Sequence, residues 1–261
     1  MTAVFLALAQ TIPTTASVIY PCFPETYQPG KYNVTAHPQE SGRRLDPREA
    51  EQRESVQLLT HSATYRIDLK TQRFESLSTF RNATDRVTAV AIKLPVRGRQ
   101  VTWKQIENTH LSFLVNKSKV TPTEEKITRR EPTEQQKASG IWAQFYEKNY
   151  VINLTLKPKE TKSVQVNFDS PLPRAGLDGA QRMVVYDTAG ADNWADKIKQ
   201  FNYAIQYSSK VVLQVYASLP EGKWQIGPAG AFMTFYDFEP AEKPHLIFTF
   251  YPNSLEPIGG G

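Results

Sequence analysis

The sequence predicts a mainly β chain folded as an antiparallel β-sandwich, Ig-like or related, and three observations carry that expectation. First, apolar side chains recur at every second position, as in Tyr150, Ile152, Leu154 and Leu156 set against Val151, Asn153 and Thr155. A period of two marks half-buried strands. Second, Asn, Asp, Gly and Pro separate these runs at intervals of roughly 10–15 residues, the rhythm of sandwiches and barrels. Third, 261 residues with 40% apolar and 11% aromatic side chains supply a core for one large or two small domains. The single cysteine, Cys22, excludes a disulfide framework.

The N-terminal run Met1-Thr2-Ala3-Val4-Phe5-Leu6-Ala7-Leu8-Ala9-Gln10 is apolar and closes in an Ala-x-Ala spacing. It reads as the end of a secretory signal, residues 1–9 being a remnant and the mature chain starting at Gln10. An ordinary hydrophobic N-terminus of a cytosolic protein is the plainer alternative. Residues 10–45 read as a flexible leader, with a Thr/Ser/Pro stretch from Thr11 to Ser17 and three prolines between Tyr20 and Gly30. Cys22 follows Ile19-Tyr20-Pro21, too bulky and rigid for a lipidation signal, and is expected to be an inert thiol or an intermolecular disulfide. No later run approaches the roughly 18 apolar residues of a transmembrane helix, so no membrane span is expected after the signal.

The elements follow in order. Asp46-Pro47-Arg48-Glu49 places Asp at a helix N-cap, Pro at the first helical position and Glu three residues after the cap, predicting a helix from Pro47 to Leu58. Strands are expected over Ala63–Leu69, Phe74–Phe80 and Val87–Leu94, the last ending at Pro95, and around Leu111, Phe113 and Val115. Residues 117–140 hold no aromatic side chain and are rich in Thr, Glu, Lys and Arg, so they are expected to form a mobile, solvated insertion. Thr121-Pro122-Thr123-Glu124 could cap a short helix there. Strands resume at Ile141–Phe145, Tyr150–Leu156 and Val164–Phe168, with Lys157-Pro158-Lys159-Glu160 as a tight hairpin. Residues 46–170 thus make a first β region, and 171–253 make a second packed with it. Residues 254–261 read as a flexible tail.

The second region is the more aromatic. Phe201, Tyr203, Ile205 and Tyr207 share one face, followed by Val211, Leu213 and Val215, by Phe232 to Phe238, and by Leu246, Phe248 and Phe250. Such stripes are expected in the core, facing a second sheet about 10 Å away. A short helix is expected near Asn193–Lys199, before the Phe201 strand.

Functional classes can be weighed on the same residues. The net charge of +5 comes from 31 basic residues interleaved with 26 acidic ones, which is not the clustered pattern of a phosphate-tracking surface, so nucleic acid is not an expected partner. Asp187-Thr188-Ala189-Gly190 after an apolar strand resembles a nucleotide-switch motif, but no Gly-rich phosphate loop ending in Gly-Lys-Ser/Thr accompanies it. Nor is it the Asp-Thr-Gly of an aspartic protease, because Ala189 intervenes and no second copy exists. A strand-to-helix turn accounts for it. His37, His61, His110 and His245 are isolated, with no metal-ligand spacing and no Gly-x-Ser-x-Gly elbow, so no catalytic residue, metal or cofactor is assigned. Asn33, Asn82, Asn116 and Asn153 begin Asn-x-Ser/Thr tripeptides, N-glycan acceptors if the host is a eukaryote.

The segment Phe80-Arg81-Asn82-Ala83-Thr84-Asp85 leading to Lys93-Leu94-Pro95, and later Asp187-Thr188-Ala189-Gly190-Ala191-Asp192-Asn193-Trp194 before the Phe201 strand, resembles a group of uncharacterised secreted bacterial β-rich proteins. The resemblance spans about half of the chain. It implies an exported β-sandwich and carries over no functional residue. The expected function is an exported, extracytoplasmic (periplasmic or secreted), non-catalytic binding or structural module that meets a protein partner or an envelope component. The alternative is a glycan-binding or carbohydrate-active protein using Trp142, Trp194 or Trp224 as a stacking ring.

Overall fold

Eighteen strands, and no helix, make up the described part of a computed structural model, which covers residues 15–16, 20–22, 55–99, 111–130, 145–172, 174–175, 181–187, 195–219, 223–238 and 245–253. They are β1 (Thr15–Ala16), β2 (Tyr20–Cys22), β3 (Val56–Ile67), β4 (Thr71–Asn82), β5 (Thr88–Arg99), β6 (Leu111–Val115), β7 (Ser118–Val120), β8 (Thr123–Glu124) and β9 (Thr128–Arg130). The series continues with β10 (Phe145–Leu156), β11 (Thr161–Pro171), β12 (Arg174–Ala175), β13 (Gln181–Asp187), β14 (Ile198–Gln206), β15 (Val212–Leu219), β16 (Gln225–Gly227), β17 (Gly230–Phe238) and β18 (His245–Pro252). The chain is therefore mainly β, as the alternating pattern predicts.

The strands form three sheets. An eight-stranded sheet runs β16-β17-β14-β3-β4-β11-β6-β7, a six-stranded sheet is built on β5 and β10, and a four-stranded sheet runs β12-β13-β18-β15. One strand pairing departs from the antiparallel expectation. β14 lies parallel to β3, with Phe201 opposite His61 and Ile205 opposite Tyr65. Because β14 arrives from residues beyond Pro171, strands from both halves of the sequence share the eight-stranded sheet.

Four local expectations are also corrected. Val56–Leu58, the expected end of the first helix, lie in β3, where buried Val56 and Leu58 continue the period of two; residues 47–54 are outside the described residues. The helix expected at Asn193–Lys199 is not formed over 195–199. Asp196 has φ 63°, a left-handed conformation that no α-helix accommodates, and Ile198 already pairs with Phe238. Residues 193–194 are outside the described residues. β5 does not stop at Pro95 but runs on to Arg99. Pro95 lies between the stretches paired to β2 and to β1 while facing Asn149 of β10, a position that tolerates a missing N–H. Finally, residues 118–130 of the expected insertion hold three short strands, one added to the eight-stranded sheet and two to the six-stranded one. Their side chains are mostly solvated, as the polar composition predicts, while their backbones pair with β10 and β6. No helix forms at Thr121–Glu124, since Thr123–Glu124 is β8.

Lys157–Glu160 does not close a hairpin. β10 belongs to the six-stranded sheet and β11 to the eight-stranded one, so this turn carries the chain between sheets, as the 83–87 turn does from β4 to β5. The two turns are bolted together. Asn82, fully buried, donates through Nδ2 to the carbonyls of Arg86 (2.7 Å), Leu156 (3.2 Å) and Lys157 (3.0 Å), and its Oδ1 accepts from the Thr84 amide and hydroxyl at 2.9 and 2.8 Å. Backbone bonds from Asn82 to Glu160 and from Lys159 to Thr84 complete the corner.

The inner face of the eight-stranded sheet carries the core. Tyr65, Phe74, Phe80, Phe113, Val164, Val166, Phe168, Phe201 and Tyr203 are all buried on it. Tyr186 of the four-stranded sheet inserts among them, with ring centroids 5.2 Å from Tyr203, 5.9 Å from Phe74 and 6.1 Å from Phe201. Phe248 of β18 packs on Tyr207 and Trp224 at 5.9 and 5.4 Å. Tyr150 of the six-stranded sheet meets Phe113 at 6.3 Å. One face of the large sheet is thus shared by both smaller sheets, and burial of these rings removes a large apolar area from water.

Candidate functional site

The opposite face of the eight-stranded sheet is a regular grid in solvent. Register places four rows across it, and none of the residues named in the rows is buried. One row reads Tyr236, Gln200, Thr60, Thr79, Ser163; the next reads Thr234, Asn202, Ser62, Leu77, Gln165, Leu114. A third reads Phe232, Ala204, Thr64, Glu75, Asn167, Ser112, and a fourth Gln206, Arg66, Arg73, Asp169. These positions alternate with the core residues, so burying one parity exposes the other.

The grid is cross-linked by its own side chains. Arg66 Nε donates to Gln206 Oε1 at 2.9 Å and its Nη1 to Glu75 Oε2 at 3.4 Å. Gln165 Nε2 donates to Glu75 Oε1 and Asn167 Oδ1, each at 3.2 Å, and Asn167 Nδ2 reaches Ser112 Oγ at 3.4 Å. On the other side, Asn202 Oδ1 accepts from Thr234 Oγ1 at 2.9 Å and from Gln200 Nε2 at 3.3 Å. Arg73 pairs with Asp169 at 2.8 Å, and that hydrogen bond and charge raise the guanidinium pKa above its ordinary value. Arg73, Asp169, Asn167, Ser112, Leu111, Phe168 and Lys119 also line a shallow cleft of about 340 Å³ at this end of the sheet.

Two aromatic rings stand up from the grid. Phe232 is 51% exposed and Tyr236 72%, both on β17, whereas Ala231, Met233 and Phe238 of the same strand are buried. The expectation that the whole Phe232–Phe238 stripe is core is corrected here. Both parities of β17 carry large apolar side chains, so alternation alone could not show which one faces water. Their exposure is the signal that sequence reasoning missed; on the paired strand, Asn202, Ala204 and Gln206 alternate with the expected core residues Phe201, Tyr203 and Ile205.

The expected stacking tryptophans divide differently. Trp224 is half-buried, its ring edge-on to Tyr203 at 5.4 Å and tilted against Phe248 at 5.4 Å, so it belongs to the core margin. Trp142 and Trp194 lie outside the described residues. Asp187 ends β13, and residues 188–190 of its motif are outside the described residues. Among the histidines, His61 is buried, accepting or donating at Nδ1 with Ser78 Oγ (2.7 Å) and at Nε2 with Tyr186 OH (2.5 Å). Burial lowers its pKa to about 3, so the ring is neutral at ordinary pH. Histidine beside a serine hydroxyl invites a catalytic reading, yet His61, Ser78 and Tyr186 are all sealed in the core, where no substrate reaches. His245 begins β18; His37 and His110 are outside the described residues. Of the Asn-x-Ser/Thr sites, Asn82 is buried and fully engaged, Asn116 sits in the β6–β7 turn at φ 49°, Asn153 is exposed on β10, and Asn33 is outside the described residues.

No family model matches the sequence, and no curated protein matches it. Among solved structures, the chain is similar to a protein from Legionella pneumophila provisionally designated nutrient binding, with a TM-score of 0.61, 10% identity, and coverage of 93% of this chain and 72% of that one. At this identity the likeness is one of fold. An M1 zinc metallopeptidase from Deinococcus radiodurans aligns at a TM-score of 0.36 and 7% identity, over 76% of this chain and 42% of that one. The aligned part of the chain thus spans less than half the length of that peptidase.

Proposed function

We propose that the protein is an exported, non-catalytic binding module whose contact surface is the outer face of the eight-stranded sheet. The observation that carries this reading is the grid itself: a broad, ordered array of Gln, Asn, Arg, Glu, Ser and Thr, cross-linked by hydrogen bonds and carrying two exposed rings. Side chains held in place by one another lose little entropy when a partner arrives, which favours recognition. The sandwich arrangement belongs to the same reading. Tyr186 and Phe248 packed against the inner face support a four-stranded layer on that side, which leaves the outer face free for contact. The apolar N-terminal run with its Ala-x-Ala ending supports export, and the partner is then a protein or a component of the cell envelope.

A photo-crosslinking amino acid placed singly at Thr64, Leu77 or Ala204 in the native host tests this reading, with Asp85 and Lys157 at the opposite corner as controls. Adducts are expected from the grid positions. Adducts only from the controls, or from neither set, overturn the assignment.

A further inference from the structure

Resting on that reading of the outer face, we infer that its ligand is an uncharged oligosaccharide, laid along β17 across Phe232 and Tyr236 with its hydroxyl groups on Gln200, Asn202 and Gln206. Three features of the face select this chemistry. The first is charge. The grid's acidic side chains are each engaged by an arginine, Glu75 by Arg66 and Asp169 by Arg73, leaving Lys119 at the far edge and Arg81 at the end of β4 as two separate cations without an acidic partner among the described residues. A polyanion such as nucleic acid or an acidic polymer requires clustered unpaired cations.

The second feature is half-satisfied amides. Asn202 uses Oδ1 twice, while its Nδ2 has no partner among the described residues; Gln206 is held through Oε1 with Nε2 likewise free, and Gln200 is held through Nε2 with Oε1 free. Each amide is thus fixed at one end and offers a donor or an acceptor at the other. A sugar hydroxyl, which donates and accepts at the same atom, meets both kinds of group. The third feature is the distribution of apolar surface. Phe232 and Tyr236 are four residues apart on one strand, so about 13 Å separates their Cα atoms, with Thr234 between. Leu77, the other large exposed apolar residue on this face, lies three strands away, roughly 14 Å, so no continuous apolar patch forms of the kind that centres a protein interface. Isolated rings set among polar groups suit the C–H faces of successive sugars, and a single sugar cannot span both rings.

The test is binding of the purified full-length chain to an array of uncharged and acidic oligosaccharides and their monosaccharides, followed by calorimetric titration of the best binder. Uncharged oligosaccharides are expected to bind better than monosaccharides. Phe232→Ala and Tyr236→Ala should each weaken binding about tenfold, the loss of one ring contact, and Asn202→Ala should weaken it as well. Both rings are exposed, so these two variants should unfold at the wild-type temperature. Ile226→Ala, an exposed apolar change at the edge strand outside the grid, should bind as wild type. No retention of any uncharged oligosaccharide, retention of acidic ones only, or binding indifferent to both ring substitutions overturns the inference. If crosslinks from the grid positions lead to a protein while the array is blank, the ligand class falls and the contact face stands. If crosslinks come only from the control positions, the contact face itself falls.

Discussion

At the scale of the residue, Asn82 shows how one side chain can hold two sheets in place. Its amide satisfies three carbonyls drawn from both inter-sheet turns, and its own oxygen is occupied by Thr84. Replacing it by alanine removes the donor from one buried carbonyl, Leu156, and from two partly buried ones, Arg86 and Lys157, and a buried group left unpaired costs about 1–3 kcal/mol. Asn82→Ala is therefore expected to lose about 2–3 kcal/mol, read as a lower urea midpoint. A loss below about 1 kcal/mol would mean that water takes over the amide's role. The same burial makes Asn82 unable to carry a glycan in the folded chain, although its tripeptide has the acceptor pattern. The sequence shows the pattern and the Asn-based turn; it does not show that the amide points inward, because its partners Leu156 and Lys157 lie more than seventy positions away.

At the scale of the element, β17 sets both the shape of the sheet edge and the composition of the proposed site. It enters from a turn in which a Cβ on Gly230 would lie 2.6 Å from the carbonyl oxygen of Ile205, a contact only glycine avoids. Gly230→Ala must push β14 and β17 apart and should cost about 1–3 kcal/mol of stability, with weaker ligand binding at the grid. Unchanged unfolding and binding in that variant would show that the strand pair relaxes freely. The other end of β17 changes phase. Phe235 still packs inward, but Tyr236 and Asp237 are exposed and Phe238 is buried again, beside Asp237 at φ 46°. β14 shifts with it, since Ile198 and Phe201 are both buried. The Ile198–Phe201 spacing of three buried positions therefore comes from two paired strands changing phase together.

At the scale of the whole molecule, the hydrogen-bonded set His61, Ser78 and Tyr186 joins the four-stranded sheet to the eight-stranded one. Burial holds the imidazole neutral by lowering its pKa from 6.5 to about 3. Between those values the unfolded chain binds a proton that the folded chain refuses, so stability falls as pH falls below about 6.5, by up to about 1.4 kcal/mol per pH unit from this group. His61→Gln keeps a donor and an acceptor but does not titrate. It should be less stable than wild type near neutrality and lose less stability on acidification, as measured by urea midpoints across this range. Equal acid slopes in the two proteins would place the pH dependence elsewhere. The ring stacks on Phe201 at 5.3 Å, so a charge there would sit against an aromatic core with two hydroxyls as its hydrogen-bonding neighbours.

The sequence by itself determined that this chain is mainly β, and for β10, β11, the Ala63–Ile67 part of β3 and the Phe201–Ile205 part of β14 it determined which side chains line the inner face, because alternation is a property of a single strand and needs no partner. The tertiary structure decided which strands pair. It sent β10 and β11 to different sheets, laid β14 parallel to β3, and recruited the polar 118–130 segment into strands through backbone hydrogen bonds that composition does not record. It also decided which side of β17 is wet. Phe232 and Met233 are equally apolar in the chain, and only the position of the layer over the inner face buries one and leaves the other in solvent.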